Sequence, residues 1–158
     1  PAFMFLMAVL VNIIYRIDPK HENISRSREL KQITRWFVVL LAVMVQLVIV
    51  LSGIGMEINV GSVISIPIAL MFVAAGNYLP KCKQNYTMGI KLPWTLADED
   101  NWNRTHRLAG YVWTAGGILM LIMGFFHLAY LFFLVFMAMV LIPSVYSYLI
   151  YRKKLKGI

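Results

Sequence analysis

Charge is what this chain has least of. Of its 158 residues, 14% are charged and 60% are apolar, where a water-soluble domain carries about a quarter charged residues and under half apolar. Residues 36–79 contain one charge, Glu57, and residues 108–151 contain none. Runs of this length exclude a soluble core helix, because about 20 apolar residues already cross a hydrocarbon layer. The single cysteine, Cys82, excludes an intrachain disulfide. There is no P-loop, HExxH, Cys-x-x-Cys or recognisable nucleophile motif, so the sequence offers no catalytic residue and no cofactor cradle.

Metal ligands are equally sparse. His21 and His106 fall in different connections and His127 in a turn at the opposite end of the spans. Zinc needs three or four converging ligands, which only His21, Cys82 and His106 together would supply; the expectation is no metal. Glu and Asp number seven against 15 Lys and Arg, a net charge of +8. With no soluble basic domain to hold a nucleic acid, that excess is read as membrane topology and direct nucleic-acid binding is not expected.

Five apolar segments are present, at about 1–15, 36–55, 60–79, 108–126 and 130–151. The fold expected is all-α: one transmembrane domain over 1–158, a polytopic helical bundle. The chain opens at Pro1, inside an apolar run, with no Met and no basic leader. The first span is short, and the expectation is that an N-terminal part is missing, with six spans in the full-length protein. The run 36–79 turns back near Gly53, Gly55 and Gly61, and the run 108–151 near His127–Leu128.

Basic residues orient the bundle. Arg16, Lys20, Arg26, Arg28, Lys31 and Arg35 lie in the first connection. Lys81, Lys83, Lys91, Arg104 and Arg107 lie in the third, and Arg152, Lys153, Lys154 and Lys156 in the tail. These sets hold every Lys and Arg of the chain, and two spans separate each from the next. The positive-inside rule then predicts that all three are cytoplasmic, the C-terminus with them.

Local signals add detail. Ile24, Leu30, Ile33 and Phe37 recur at helical spacing among charges and predict an interfacial helix feeding the second span. Asp18-Pro19 marks the end of the first. Thr95 followed by Asp98 reads as the capping start of a helix to about 107. Asp98, Glu99 and Asp100 would lie near its positive end and Arg104 and Arg107 near its negative end. Gly110, Gly117 and Gly124 share one face of the fourth span, and Gly61, Ser65 and Ala69 give small-xxx-small spacing in the third; both predict close helix approach. Pro67 and Pro143 are expected to kink their helices. Asn12 and Gln46 are expected to face the bundle, and Trp36, Tyr148 and Tyr151 to sit at the membrane interface.

Residues 76–110 are too dense for a plain linker. Tyr78, Tyr86, Trp94 and Trp102 interleave with Lys81, Lys83, Lys91, Arg104 and Arg107, while Pro80, Gly89 and Pro93 fix the backbone path. One reading is a surface-lying segment anchored by tryptophan and anionic lipid. The other is an ordered recognition element, with Trp94, Thr95, Trp102, His106 and Arg107 packed under the third and fourth spans.

In this segment Asn77-Tyr78-Leu79-Pro80-Lys81, Asn85-Tyr86, Gly89-Ile90-Lys91, Pro93-Trp94-Thr95-Leu96 and Trp102 through Gly110 strongly resemble the SdpI family of bacterial membrane proteins. Ile17-Asp18-Pro19-Lys20 and Ile142-Pro143 through Tyr151 are similar as well. Lys91 departs from the Arg usual there, and Leu92 from the Thr. The resemblance implies a multi-pass protein of the bacterial cytoplasmic membrane that gives immunity to a secreted, membrane-active peptide toxin and draws a transcriptional repressor to the membrane. The partners it implies are therefore lipid, a peptide toxin outside and a repressor inside. The residues it points to are Asn77, Pro80, Lys81, Asn85, Tyr86, Gly89, Lys91, Pro93, Trp94, Thr95, Trp102, Thr105, His106 and Arg107. Two alternatives stay open. A small transporter or channel component for a peptide or lipid would ordinarily show intramembrane ionisable residues. An intramembrane enzyme would need a nucleophile or metal beside His106.

Overall fold

A computed structural model describes residues 9–10, 13–14, 17–20, 22 and 28–157. Its long helices are α1 (Arg28–Gly53), α2 (Val60–Tyr78), α4 (Glu99–Phe125) and α5 (Ala129–Leu155), with the short α3 (Pro93–Ala97) between α2 and α4. All four long helices are apolar and long enough to cross a membrane, and no strand interrupts the described residues. The chain is a multi-pass helical membrane bundle. Of the expected first span, residues 9, 10, 13 and 14 are helical; the rest, Asn12 included, and residues 24–27 of the expected interfacial helix lie outside the described residues. From Arg28 onward that helix runs into α1 without a break.

The hairpin turns follow the breakers. Between α1 and α2, Gly55 adopts φ +86°, and between α4 and α5 His127 adopts φ +58°, a left-handed conformation uncommon outside glycine. Asn59 Nδ2 lies 3.4 Å from His127 Nδ1, so the two turns meet at one end of the molecule.

α4 packs between α2 and α5. Its glycine face lets α2 come close: a Cβ at Gly110 would lie 2.9 Å from Gly76 O, one at Gly117 2.8 Å from Val73 N and one at Gly124 2.7 Å from Ser65 Oγ. Gly76 answers from α2, where a Cβ would lie 2.6 Å from Thr114 N. Without a hydrophobic driving force between helices in lipid, such backbone proximity and its dispersion contacts do the associating. Ala69, Phe72, Met120 and Met139 form the core at this level, with Trp113 edge-on to Phe72 at 5.0 Å. Trp113 Nε1 donates to Met139 O (3.0 Å), which ties α4 to α5. Large apolar side chains such as Val43, Ile49, Ile122 and Leu141 stay exposed, the surface a bilayer would cover.

Four local expectations change. α4 begins at Glu99 and runs unbroken through 125, so Arg104 and Arg107 sit inside a long helix and not at the negative end of a short one; nothing in residues 105–110 breaks helix propagation. Thr95 does not open that helix. It occupies the third position of α3, and Asp98 is the N-cap of α4, its side chain accepting from Asp100 N. Gln46 is exposed on α1, which packs on α2 and leaves most of its own surface uncovered. Gly61 is exposed, and a Cβ there would approach only Asn59, so the small-residue face of α2 begins at Ser65.

Candidate functional site

Between α2 and α4 the chain does not loop freely. It folds into a cap whose centre is Trp102, fully buried on the first turns of α4. Trp102 Nε1 donates to Cys82 O (2.8 Å), and its ring stacks on His106 at 4.0 Å between centroids. His106 is one helical turn on and also fully buried. The Ile90 N–H donates to His106 Nε2 (3.0 Å), so Nε2 is the unprotonated nitrogen. Nδ1 therefore carries the proton and donates to Trp102 O (2.8 Å). Both ring nitrogens are used within the fold, which leaves neither for a substrate proton or a metal.

Gly89 makes this geometry possible. Its φ is +98°, and a Cβ there would lie 2.3 Å from His106 Nε2 and 3.1 Å from Trp102 Cζ2. Ahead of it, Asn85 is fully buried and clamps the turn: its Oδ1 accepts from Thr87 N (2.9 Å) and Met88 N (2.6 Å), and its Nδ2 donates to Lys83 O (2.8 Å). Behind it, Thr95 Oγ1 accepts from Leu92 N (2.9 Å) and donates to Ile90 O (2.8 Å). Leu92 stands at the N-cap of α3 with no acceptor in its side chain, so only half of a reciprocal cap forms.

Two further groups tie the cap to the rest of the chain. Asp18 is buried, and its carboxylate accepts from Lys20 N (2.8 Å), Tyr86 N (2.9 Å) and Thr87 Oγ1 (2.5 Å). Lys20 Nζ donates to Gln84 Oε1, while Gln84 Nε2 donates to Thr95 O and Leu96 O, both at 2.9 Å. On the other side Asn101, Thr105 and Ser147, all fully buried, bridge α4 and α5. Asn101 Oδ1 accepts from Thr105 Oγ1 and Ser147 Oγ, each at 3.0 Å, and its Nδ2 donates to Ser147 O (3.1 Å). Asp98 and Asp100 add an exposed link, with Lys154 Nζ 2.6 Å and 3.0 Å from their carboxylates.

The expected site residues thus divide. Asn85, Thr95, Trp102, Thr105 and His106 are buried scaffold, with Gly89 against them. Asn77, Pro80, Lys81, Lys91, Pro93 and Arg107 are exposed, and Tyr86 is 49% exposed. Trp94 lies between, stacked on Tyr151 at 5.8 Å and edge-on to Tyr148 at 5.6 Å. Two surface hollows collect the exposed ones apart from Lys81 and Pro93. Asn77, Pro80 and Arg107 line one of about 730 Å³ with Tyr111. Tyr86, Gly89 and Lys91 line another of about 450 Å³, closed by Ile33 and Thr34 of α1. Lys91 Nζ donates to Thr87 O (3.1 Å), a single contact that a lysine makes as well as an arginine would.

Sequence reasoning missed Asp18, Gln84, Asn101 and Ser147. For Asp18 and Ser147 a signal existed, since each lies in a resembling stretch, Ile17-Asp18-Pro19-Lys20 and Ile142 through Tyr151; for Gln84 and Asn101, which fall between the resembling stretches, there was none. Among the described residues no group of three His, Cys, Asp or Glu could hold a metal ion.

Comparison with known proteins bears on the same segment. The sequence model of the SdpI/YfhL protein family matches residues 81–147, from the cap through most of α5. A curated relative, Immunity protein SdpI of Bacillus subtilis (strain 168), is 31% identical over 121 residues, covering 75% of this chain and 58% of the relative. The chain therefore spans less than two thirds of that relative's length. No solved structure matches the chain.

Proposed function

The chain belongs to the SdpI/YfhL protein family, and from that premise we propose that it is an immunity protein of the bacterial cytoplasmic membrane, acting by binding and not by catalysis. It protects its cell from a membrane-active peptide toxin, and the cap between α2 and α4 is its cytoplasmic signalling element, which engages a repressor protein.

One observation carries this reading: the family-matching segment is a fixed cap, with its motif residues hydrogen-bonded to one another and only a chosen subset turned outward. Such a platform is suited to recognition, where preorganised side chains lower the ordering cost of binding. A catalytic role for His106 is disfavoured by its burial and by the use of both its ring nitrogens. Outward-facing Arg107, with Asn77 and Pro80 beside it, is the cluster from which a partner would be read.

The test is survival. A toxin-sensitive bacterium expressing the intact gene should outlive its parent when exposed to the cognate peptide. Arg107→Ala should weaken protection or signalling at unchanged membrane level, because its side chain is exposed and its loss leaves the cap intact. Trp94→Ala should weaken it too, by freeing α3 from Tyr148 and Tyr151. Gradient-driven flux of a substrate in proteoliposomes, with no protection against any peptide encoded nearby, would overturn the proposal.

A further inference from the structure

Where α5 emerges beside the start of α4, the surface carries a groove of about 690 Å³ of mixed character. Its apolar wall is Tyr146, Leu149 and Ile150, which belong to the uncharged run 108–151. Its other end is cationic, with Arg152, Lys153 and Lys156, plus Arg104 from α4. Lys154 also borders it but is engaged by Asp98 and Asp100, and Arg104 Nε is held by Asp100 at 3.0 Å. Arg152, Lys153 and Lys156 make no ion pair among the described residues. The groove therefore grades from hydrocarbon-compatible side chains to concentrated positive charge along the direction in which the helix leaves the membrane.

We propose that this groove is a binding site for one anionic phospholipid, its phosphate headgroup held by Arg152, Lys153 and Lys156 and an acyl chain laid on Tyr146 and Leu149. Two features select a lipid over an acidic protein. Leu149 is 48% exposed, an apolar surface within the span that an acidic peptide docking from the aqueous side would leave uncovered. The Asp98–Lys154–Asp100 bridge, in turn, pins the end of α5 to α4, so the cations are presented from a fixed helix end and not from a loose tail. The phosphate also lies where the carbonyls of the last helical turn would repel it, so the side-chain cations must supply the attraction.

The experiment is lipid retention on the purified intact chain, read by native mass spectrometry from detergent with phosphatidylglycerol or phosphatidylcholine supplied at equal concentration. The wild type should keep one phosphatidylglycerol in preference, and each cation removed should lower that preference roughly fivefold. Arg152→Gln/Lys153→Gln/Lys156→Gln, which leaves the Lys154 bridge intact, should abolish it. Lys153→Gln should weaken retention where Lys83→Gln, the same charge lost from the cap, leaves it unchanged. Equal retention of both lipids by the wild type would overturn the site, as would equal losses in the two single variants, which would mean diffuse attraction. Binding of soluble glycerol phosphate as tightly as the lipid would overturn the acyl contact, and capture of an acidic peptide in place of lipid would assign the groove to a protein.

Discussion

A methyl group at Gly89 would do two kinds of damage at once. It would sit 2.3 Å from His106 Nε2, and it would force an L side chain to φ +98°. The nitrogen it meets cannot give way cheaply, because His106 is bonded at both ring positions and stacked on Trp102. Gly89→Ala should therefore destabilise the protein by roughly 3 kcal/mol, seen as a lower midpoint in detergent denaturation. The opposite sign is expected at Leu92. This N-cap has extended backbone and no acceptor, while Thr95 already makes the return bond. Leu92→Thr, the residue usual in the family, should complete the box and raise stability by about 1 kcal/mol in the same assay.

Helix pairing in this bundle rests on two kinds of contact. α2 and α4 meet through backbone proximity at Gly76, Gly110 and Gly117, and the seven-residue spacing of the α4 glycines made that face legible from sequence. α4 and α5 meet instead around a buried polar knot, Asn101 with Thr105 and Ser147. Neither pattern nor spacing announces such a knot, because its partners lie 46 residues apart and Ser147 looks like any small residue in an apolar span. The start of α4 is ambiguous in sequence for a different reason. Thr95 and Asp98 both favour a helix N-terminus, and each serves a different one: Thr95 bonds Ile90 and Leu92 at the start of α3, while Asp98 caps α4. Asn101→Ala should leave Ser147 Oγ and Thr105 Oγ1 seeking partners in a dry interface, a loss of about 1–2 kcal/mol. Asn101→Ala with Ser147→Ala should cost less than the sum of the two single changes, which a double-mutant cycle on the denaturation midpoint would measure.

At the level of the whole chain, the alternation of charge finds a counterpart in the geometry. Lys81 and Lys83 follow the end of α2, Arg104 lies near the start of α4, and Lys153 and Lys154 close α5, whose end is bridged to Asp98. The two hairpin turns, joined by Asn59 and His127, sit at the other ends of the same helices. Basic residues at one end and none at the other is the pattern by which the positive-inside rule orients a bundle, so the cap and the C-terminal end of α5 should be cytoplasmic. Cysteine labelling tests this, with probe positions chosen from exposure. Cys82 itself is 2% exposed, next to Asn85 and under Trp102, and should resist permeant and impermeant thiol reagents alike until the protein is denatured. Met56→Cys, in an exposed turn, should react in whole cells with an impermeant maleimide, whereas Lys156→Cys should react only after the membrane is opened. The reverse pattern would mean that some force other than the basic residues orients the chain. In that case the cap would face the outside, and the repressor-engaging part of the proposed function would fall while the hydrogen-bonded architecture of the cap stood unchanged.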